Sequence, residues 1–508
     1  MNLAQRFEST AERTPDKVAF LVDDGPATTF AEFDALASEL AGGLVDLGVE
    51  PGDRVAVLAG SNVEFVATMC AIWKVGAVSV AVNAQLAPPE VLYQLQNSAP
   101  RVVVAEPGPL RALVDGIVAE APSVLHVVDL GGHRGAPRRA IDLADDQPAT
   151  IFYTSGTTGV PKGATHTHRA VDIEVRMVVQ HLRQTPDDVF LSVLPIYLLS
   201  ILLLGPLCSL HLGATCRIQR RYDPVAFARA VRGDRTTVIG ASIPMMFSDL
   251  LNLPPDEAAA VDLSSVRIAS CGGSPMPPEV RKAFEERYDF RFVHAYGGTE
   301  GPAMVSTDPL DRPRKFDSVG VALPHVRITV EDEDGKELPV GELGEICTSA
   351  FEDGPYAGLY EPISEYWQMP EATAEALRGG KLHWGDLGYL DDDGYLYLVD
   401  RKKDMIIRGG MNVYPKELEG LLYDDDRIVE CAVVAAPHER YGEVPVAFVR
   451  VAPGSTVTED EVRALVAERS APFKHLQGVT FVEDFPRNAL GKILKRELRA
   501  GAAAGPVG

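Results

Sequence analysis

Apolar residues change their spacing several times along this chain, and each change marks a different kind of element. Phe33, Leu36, Leu40, Leu44 and Leu47 recur at three- to four-residue intervals, the period of a helix that buries one face. Thr29 and Glu32, three apart and directly ahead of that run, carry the signature of a capping box. Continuous apolar runs, "RVAVLAG" (54–60), 76–82, "RVVVAE" (101–106) and "TIFYT" (150–154), have the length and composition of buried strands. Such alternation of strand and helix patterns over the first 300 residues predicts parallel sheets covered by helices.

After about residue 318 the texture shifts to short strands broken by turns. Asp-Gly pairs in "VRITVEDEDGKELPVGELGEICT" (326–348) and "GYLDDDGYLYLVD" (388–400) mark hairpins, so a small β unit is expected there. From Asp404 a third pattern begins. "YPKELEGLLYDD" and "TEDEVRALVAERS" read as helices, "VECAVVAAP" and "VPVAFVRVA" as strands, which together predict a compact α+β tail of about a hundred residues. Residues 189–216 contain no Asp, Glu, Lys or Arg and are long enough for a membrane span. Pro195 and the Gly205-Pro206 pair split them into a strand-like and a helix-like run, each of core length, so buried core is the expectation.

Composition narrows the functional classes. A chain of 508 residues exceeds what one core supports, and roughly three folding units are expected. Its net charge of −24 repels nucleic-acid backbones and anionic lipid surfaces, so neither is expected as a partner. An anionic substrate must then be held by local groups: glycine-rich backbone and a few placed Lys or Arg side chains. Six cysteines lie far apart with no CxxC pair, a pattern of reduced, buried thiols rather than disulfides or metal-thiolate sites. The first residues lack the basic–apolar–small order of a signal peptide, and a cytoplasmic protein is expected.

Candidate chemistry starts at "YTSGTTGVPKG" (153–163), which follows a strand pattern and precedes a helical one. Glycines and hydroxyls packed this densely can wrap an oligophosphate with backbone N–H and side-chain O–H groups. A Walker A loop is excluded, because Pro161 separates Gly159 from Lys162 and Gly163 stands where Ser or Thr is required. Four further motifs follow in order: "CGGSPMPPEV" (271–280), "AYGGTE" (295–300), "WGDLGYLDDDGYLYLVDRKKDMIIRGGMNVYPKELE" (384–419) and "PRNALGKILKREL" (486–498).

On these five motifs, which span nearly the whole chain, the sequence resembles the adenylate-forming superfamily of acyl- and aryl-CoA synthetases, peptide-synthetase adenylation domains and firefly luciferase. The resemblance implies an α/β fold: an N-terminal nucleotide- and acid-binding region, 1–402, of two α/β subdomains (about 1–317) and a small β-barrel (about 318–402). A mobile α+β C-terminal domain, 403–508, would follow, turning on a hinge at Lys403. It implies ATP, Mg²⁺ and CoA as cofactors and a small carboxylic acid as substrate. The acid is adenylated with release of pyrophosphate, then passed to a thiol. Both steps bring negative groups together, so catalysis rests on positioning and charge neutralisation.

By the same resemblance, Thr154, Ser155, Gly156, Thr157, Thr158, Gly159 and Lys162 cover the β- and γ-phosphates. Gly272, Gly273 and Ser274 border the adenine slot, Tyr296 stacks on adenine, Thr299 reaches a phosphate oxygen and Glu300 holds Mg²⁺. Asp386 accepts both ribose hydroxyls, and Arg401 contacts ribose or phosphate. Lys492 bridges the carboxylate and the α-phosphate, and Gly409 and Gly410 lie along the pantetheine arm. His166 and His168, two apart and without carboxylate partners, fit packing or capping rather than metal binding.

Two positions depart from the family pattern. Relatives carry His after the aromatic residue of a Pro-apolar-Phe-His segment, where this chain reads Pro195-Ile196-Tyr197-Leu198; relatives place Thr where Trp384 stands. Amino-acid-activating members supply an Asp in this region to pair the α-ammonium, and none occurs in 189–216. An unpaired buried ammonium is costly, so an aryl or apolar acid is expected, against Tyr197, Leu198, Ile243, Met245, Met246 and His294. Leu198 keeps other acceptors or acids open: a carrier-protein thiol, an amine, or nitrite. A non-catalytic nucleotide-binding protein on the same fold is disfavoured by the retained Glu300, Asp386 and Lys492.

Overall fold

A computed structural model describes residues 2–23, 25–154, 160–273, 278–487 and 493–503. The chain divides into two compact units, 1–328 with 348–382, and 329–347 with 383–508.

The first unit holds two sheets. In one, Val78–Val82, Arg54–Leu58, Val102–Ala105 and His126–Asp129 run parallel and Pro148–Thr154 joins them, also parallel, beside Val78–Val82. Lys162–Thr167 then turns back antiparallel on Pro148–Thr154, and Glu365–Tyr366 closes the edge. The other sheet has nine strands. Six central ones, Val18–Val22, Thr215–Ile218, Val189–Ser192, Val238–Ser242, Ile268–Cys271 and Val293–Tyr296, are parallel, and short antiparallel strands lie at both ends. The expected alternation of strands and covering helices is what forms.

Local signals act as read. Thr29 Oγ1 accepts the Glu32 N–H at 3.2 Å while Glu32 accepts the Thr29 N–H at 2.8 Å, and the helix Phe30–Asp46 starts there. Helix Val63–Lys74 is buried at every position but Glu64, which its nearly all-apolar sequence requires. Its one cation, Lys74, is compensated by Glu8 and by Asp34 at 2.8 Å.

The apolar stretch 189–216 becomes the strand Val189–Ser192 and the helical turns Leu199–Leu202, Leu203–Leu207 and Cys208–Leu212. The middle turn is a π-helix around Pro206, whose missing N–H breaks the regular ladder. Leu202, Leu203, Leu207 and Cys208 are wholly buried, so this is core. Among the described residues no helix is long and apolar enough to cross a membrane.

In the second unit, Leu382–Leu390 pairs antiparallel with Leu396–Arg401 across the Asp393-Gly394 turn, where Gly394 takes φ +78°. With Arg327–Glu331 and Gly344–Ser349 they make a four-stranded sheet that spans the second pair of turn signals. Where a barrel is expected, the pairing path ends at Arg327–Glu331 and Leu396–Arg401, and among the described residues no pairing closes it. The tail follows its pattern closely. Helices Pro415–Tyr423 and Glu459–Ala467 pack around the long hairpin Ile428–His438 and Gly442–Val451 on a core that includes Leu418, Leu422, Val433, Val449 and Val462.

Candidate functional site

The site in the first unit is built where the strand Pro148–Thr154 ends and Lys162–Thr167 begins. Thr154 and Lys162 lie opposite one another across that antiparallel pair, flanking residues 155–159. Ser155, Gly156, Thr157, Thr158 and Gly159 lie outside the described residues, as do Ser274 and Lys492.

Glu300 is the focus of this site. Its backbone carbonyl accepts the Ile363 N–H at 2.8 Å. Its Oε1 accepts two hydroxyls, Tyr366 at 2.9 Å and Thr154 at 3.3 Å. Tyr366 arrives through the edge strand, whose register sets it opposite Ala164. One residue earlier, the Thr299 carbonyl accepts an N–H from His166 Nε2 at 2.7 Å. His166 is wholly enclosed, and burial holds its pKa down at about 4, so the ring is neutral. A carbonyl can only accept, which assigns the proton to Nε2. Lys162 Nζ rests 4.8 Å from the centre of the Tyr366 ring, so the expected phosphate lysine and the Glu300 anchor share one side chain.

Sequence reading passed over Tyr366 and treated His166 as packing. Neither sits in a motif; only sheet pairing brings them to the 299–300 turn. His168, two residues on, instead accepts the Leu3 N–H at 3.3 Å.

The residue set suits a nucleotide and a hard cation. Glu300 offers a carboxylate with one oxygen fixed by neutral donors, and among the described residues its Oε2 accepts no hydrogen bond. Gly272 lies so close to the next strand that a Cβ would sit 2.7 Å from the Ala295 carbonyl oxygen. Gly273 takes φ +77° with only Ile243 Cγ2 within 4 Å, which leaves room against the backbone. Tyr296, at the end of the strand Val293–Tyr296, has its ring largely buried.

The residues expected along the acid pocket split. Tyr197 and Ile243 are buried and Leu198 is half-buried. Tyr197 Oη is enclosed with no hydrogen-bond partner among the described residues, and burial pushes its pKa up to about 12. His294 is pushed down by burial and its Nδ1 also lacks a partner. Consecutive helix positions point about 100° apart, so Met246 is fully enclosed while Met245 is 52% exposed.

In the second unit, Asp386 and Arg401 are cross-strand partners, with Arg401 Nε 2.6 Å from Asp386 Oδ1. The arginine thus orients the expected ribose carboxylate. Lys403 follows that strand; burial lowers its pKa, and Arg499 donates to its carbonyl at 3.2 Å. Gly409 and Gly410 both take positive φ, at 59° and 85°, in the turn between Ile406–Arg408 and Met411–Val413.

Comparison with known proteins places the chain in a family. Residues 7–351 match the family model described as AMP-binding enzyme, and residues 417–492 match its C-terminal domain. A feruloyl-CoA synthase of Amycolatopsis sp is 35% identical, with 94% of each chain covered. ATP-bound MatB from Rhodopseudomonas palustris superposes with a TM-score of 0.89 at 31% identity over 98% of both chains. The amide bond synthetase McbA from Marinactinospora thermotolerans gives 0.87 at 28% identity over 99% of this chain and 100% of that one. The chain belongs to the AMP-binding enzyme family, as an AMP-forming adenylating enzyme of the acid:CoA ligase kind.

Proposed function

We propose that the chain activates an aryl or otherwise apolar carboxylic acid and transfers it to CoA. The carboxylate oxygen attacks the α-phosphorus of ATP and pyrophosphate leaves. The CoA sulfur then attacks the acyl carbon, AMP leaves, and a thioester remains. Glu300, held by Tyr366 and Thr154, would carry Mg²⁺, which offsets phosphate charge. Thr154 and Lys162 border the pyrophosphate, and Asp386, fixed by Arg401, accepts ribose hydroxyls. Lys492 neutralises the carboxylate and α-phosphate in the first step, and residues from 403 onward turn about Lys403 for the second.

The observation that carries the choice of acid is the absence of charge on the expected pocket side chains. Tyr197 is held as the phenol and His294 as the neutral imidazole, and the rest are Leu, Ile and Met. An ammonium or a second carboxylate would go unpaired there. One feature favours a second reading, an amine acceptor: Leu198 stands where CoA-using relatives carry His, and the fold is similar to that of an amide bond synthetase.

Purified enzyme with Mg-ATP and a panel of aryl acids, fatty acids and nitrite, each with and without CoA or an amine, tests this by mass spectrometry. Acyl-CoA from an aryl or apolar acid is expected. No AMP or pyrophosphate with any acid refutes adenylation, and acyl-adenylate that yields amide but never thioester transfers the assignment to the amine.

A further inference from the structure

One titratable cluster lies apart from the residues assigned above, on the four-stranded sheet of the second unit. Glu331 ends the strand Arg327–Glu331, Cys347 lies on Gly344–Ser349 and His383 on Leu382–Leu390, three strands that are neighbours in the sheet order. A carboxylate oxygen, Sγ and a ring nitrogen of these residues all lie within 4.8 Å of one another. Cys347 Sγ and His383 Nδ1 are 3.1 Å apart. Glu331 and Cys347 are buried, and the His383 side chain is only 5% exposed.

We propose that Glu331, Cys347 and His383 form a structural zinc site. Thiolate, imidazole and carboxylate together are the donor set of a borderline-soft dication; Mg²⁺ and Ca²⁺ prefer oxygen alone. Zinc bond lengths of about 2.0–2.3 Å place tetrahedral ligand atoms about 3–4 Å apart, so the cluster needs little contraction to close on an ion. Outer partners are present. Thr329 Oγ1 donates to Glu331 Oε1 at 3.1 Å, and Glu345 Oε2, 3.6 Å from His383 Nδ1, lies beside the ring nitrogen that faces Cys347, where it can complete a four-coordinate set by leaving its 3.1 Å pairing with Lys402. On binding, the Cys347 thiol gives its proton to solvent and the sulfur bonds the metal; nothing is oxidised.

The chain order supplies a use. Cys347 is the last residue before the chain leaves this unit, and His383 is the first after it returns. A metal joining them pins the discontinuous sheet segment, closing long loops as a cross-link does.

The test uses the full chain, stripped with a chelator and titrated with Co²⁺ and Zn²⁺. One equivalent of Co²⁺ is expected to produce the near-ultraviolet band of a cobalt–thiolate bond, which an oxygen site such as Glu300 cannot give. Zn²⁺ should bleach it and raise the melting temperature. Cys347→Ser should abolish the band, and Glu331→Gln should weaken Co²⁺ binding by at least about tenfold. Wild-type enzyme without the band, Cys347→Ser that keeps it, or Glu331→Gln that binds Co²⁺ like wild type overturns the proposal. The wild-type spectrum needs no variant to fold, and acid-activating turnover is not its readout.

Discussion

The hydrogen bond from Tyr366 to Glu300 gives the most direct handle on the site. Tyr366→Phe removes one oxygen and keeps the ring on which Lys162 rests. The bond is 2.9 Å long and ends on a carboxylate, a kind that contributes about 1.5–3 kcal/mol. Glu300 is only half-buried and keeps the 3.3 Å bond from Thr154, so the lower end applies, about 1.5 kcal/mol or roughly tenfold. A mobile carboxylate loses its preset geometry for the cation, so the cost should appear in metal dependence. Pyrophosphate–ATP exchange measured against Mg²⁺ at fixed ATP should show the half-activating Mg²⁺ concentration raised about tenfold. The KM for the acid should change less than about twofold, because the pocket is untouched. Thr154→Val, which removes the longer bond, should shift Mg²⁺ dependence less. An unchanged Mg²⁺ profile in Tyr366→Phe, with the folded fraction intact, would refute the placement of the cation at Glu300.

Three other outcomes follow from particular residues. His166, at about 4 in the folded chain against an ordinary 6.5, leaves the unfolded state holding more protons between those values. Stability therefore falls as pH drops from 6.5 toward 4, and His166→Gln, which keeps an N–H donor for Thr299, should flatten part of that fall in melting temperature; an identical profile counts against it. Gly272→Ala places a methyl 2.7 Å from the Ala295 carbonyl oxygen, so backbone must shift and the KM for ATP should rise about tenfold or more, read in the same exchange assay. Tyr197→Phe deletes a buried hydroxyl with no partner among the described residues and should raise the melting temperature slightly, by about 1 kcal/mol of stability, while lowering kcat/KM for hydroxylated aryl acids relative to unsubstituted ones. Equal loss for both acids would remove Tyr197 from the pocket.

Periodicity alone determined most of the elements, because the signals are local. A capping box at Thr29 and Glu32 satisfies N–H groups within one turn, and an Asp-Gly pair reverses the chain within four residues. Residues 189–216 were legible as core for the same reason, since Pro195, Gly205 and Pro206 cut the apolar run below a spanning length. Motif order likewise marks the family, because each motif is a contiguous string of residues. What the chain could not announce is whatever depends on partners distant in sequence. Tyr366 meets Glu300 only because a two-residue edge strand pairs with Lys162–Thr167, and His166 meets Thr299 from the neighbouring strand. Met245 and Met246 are equivalent as letters and opposite in exposure, because helix phase against the sheet decides which one is enclosed. Cysteine spacing pointed away from metal, yet sheet order gathers Cys347 with His383 and Glu331 from separate segments. Local hydrogen bonding and hydrophobic period are written residue by residue; strand pairing and burial are set only when the whole chain closes on itself.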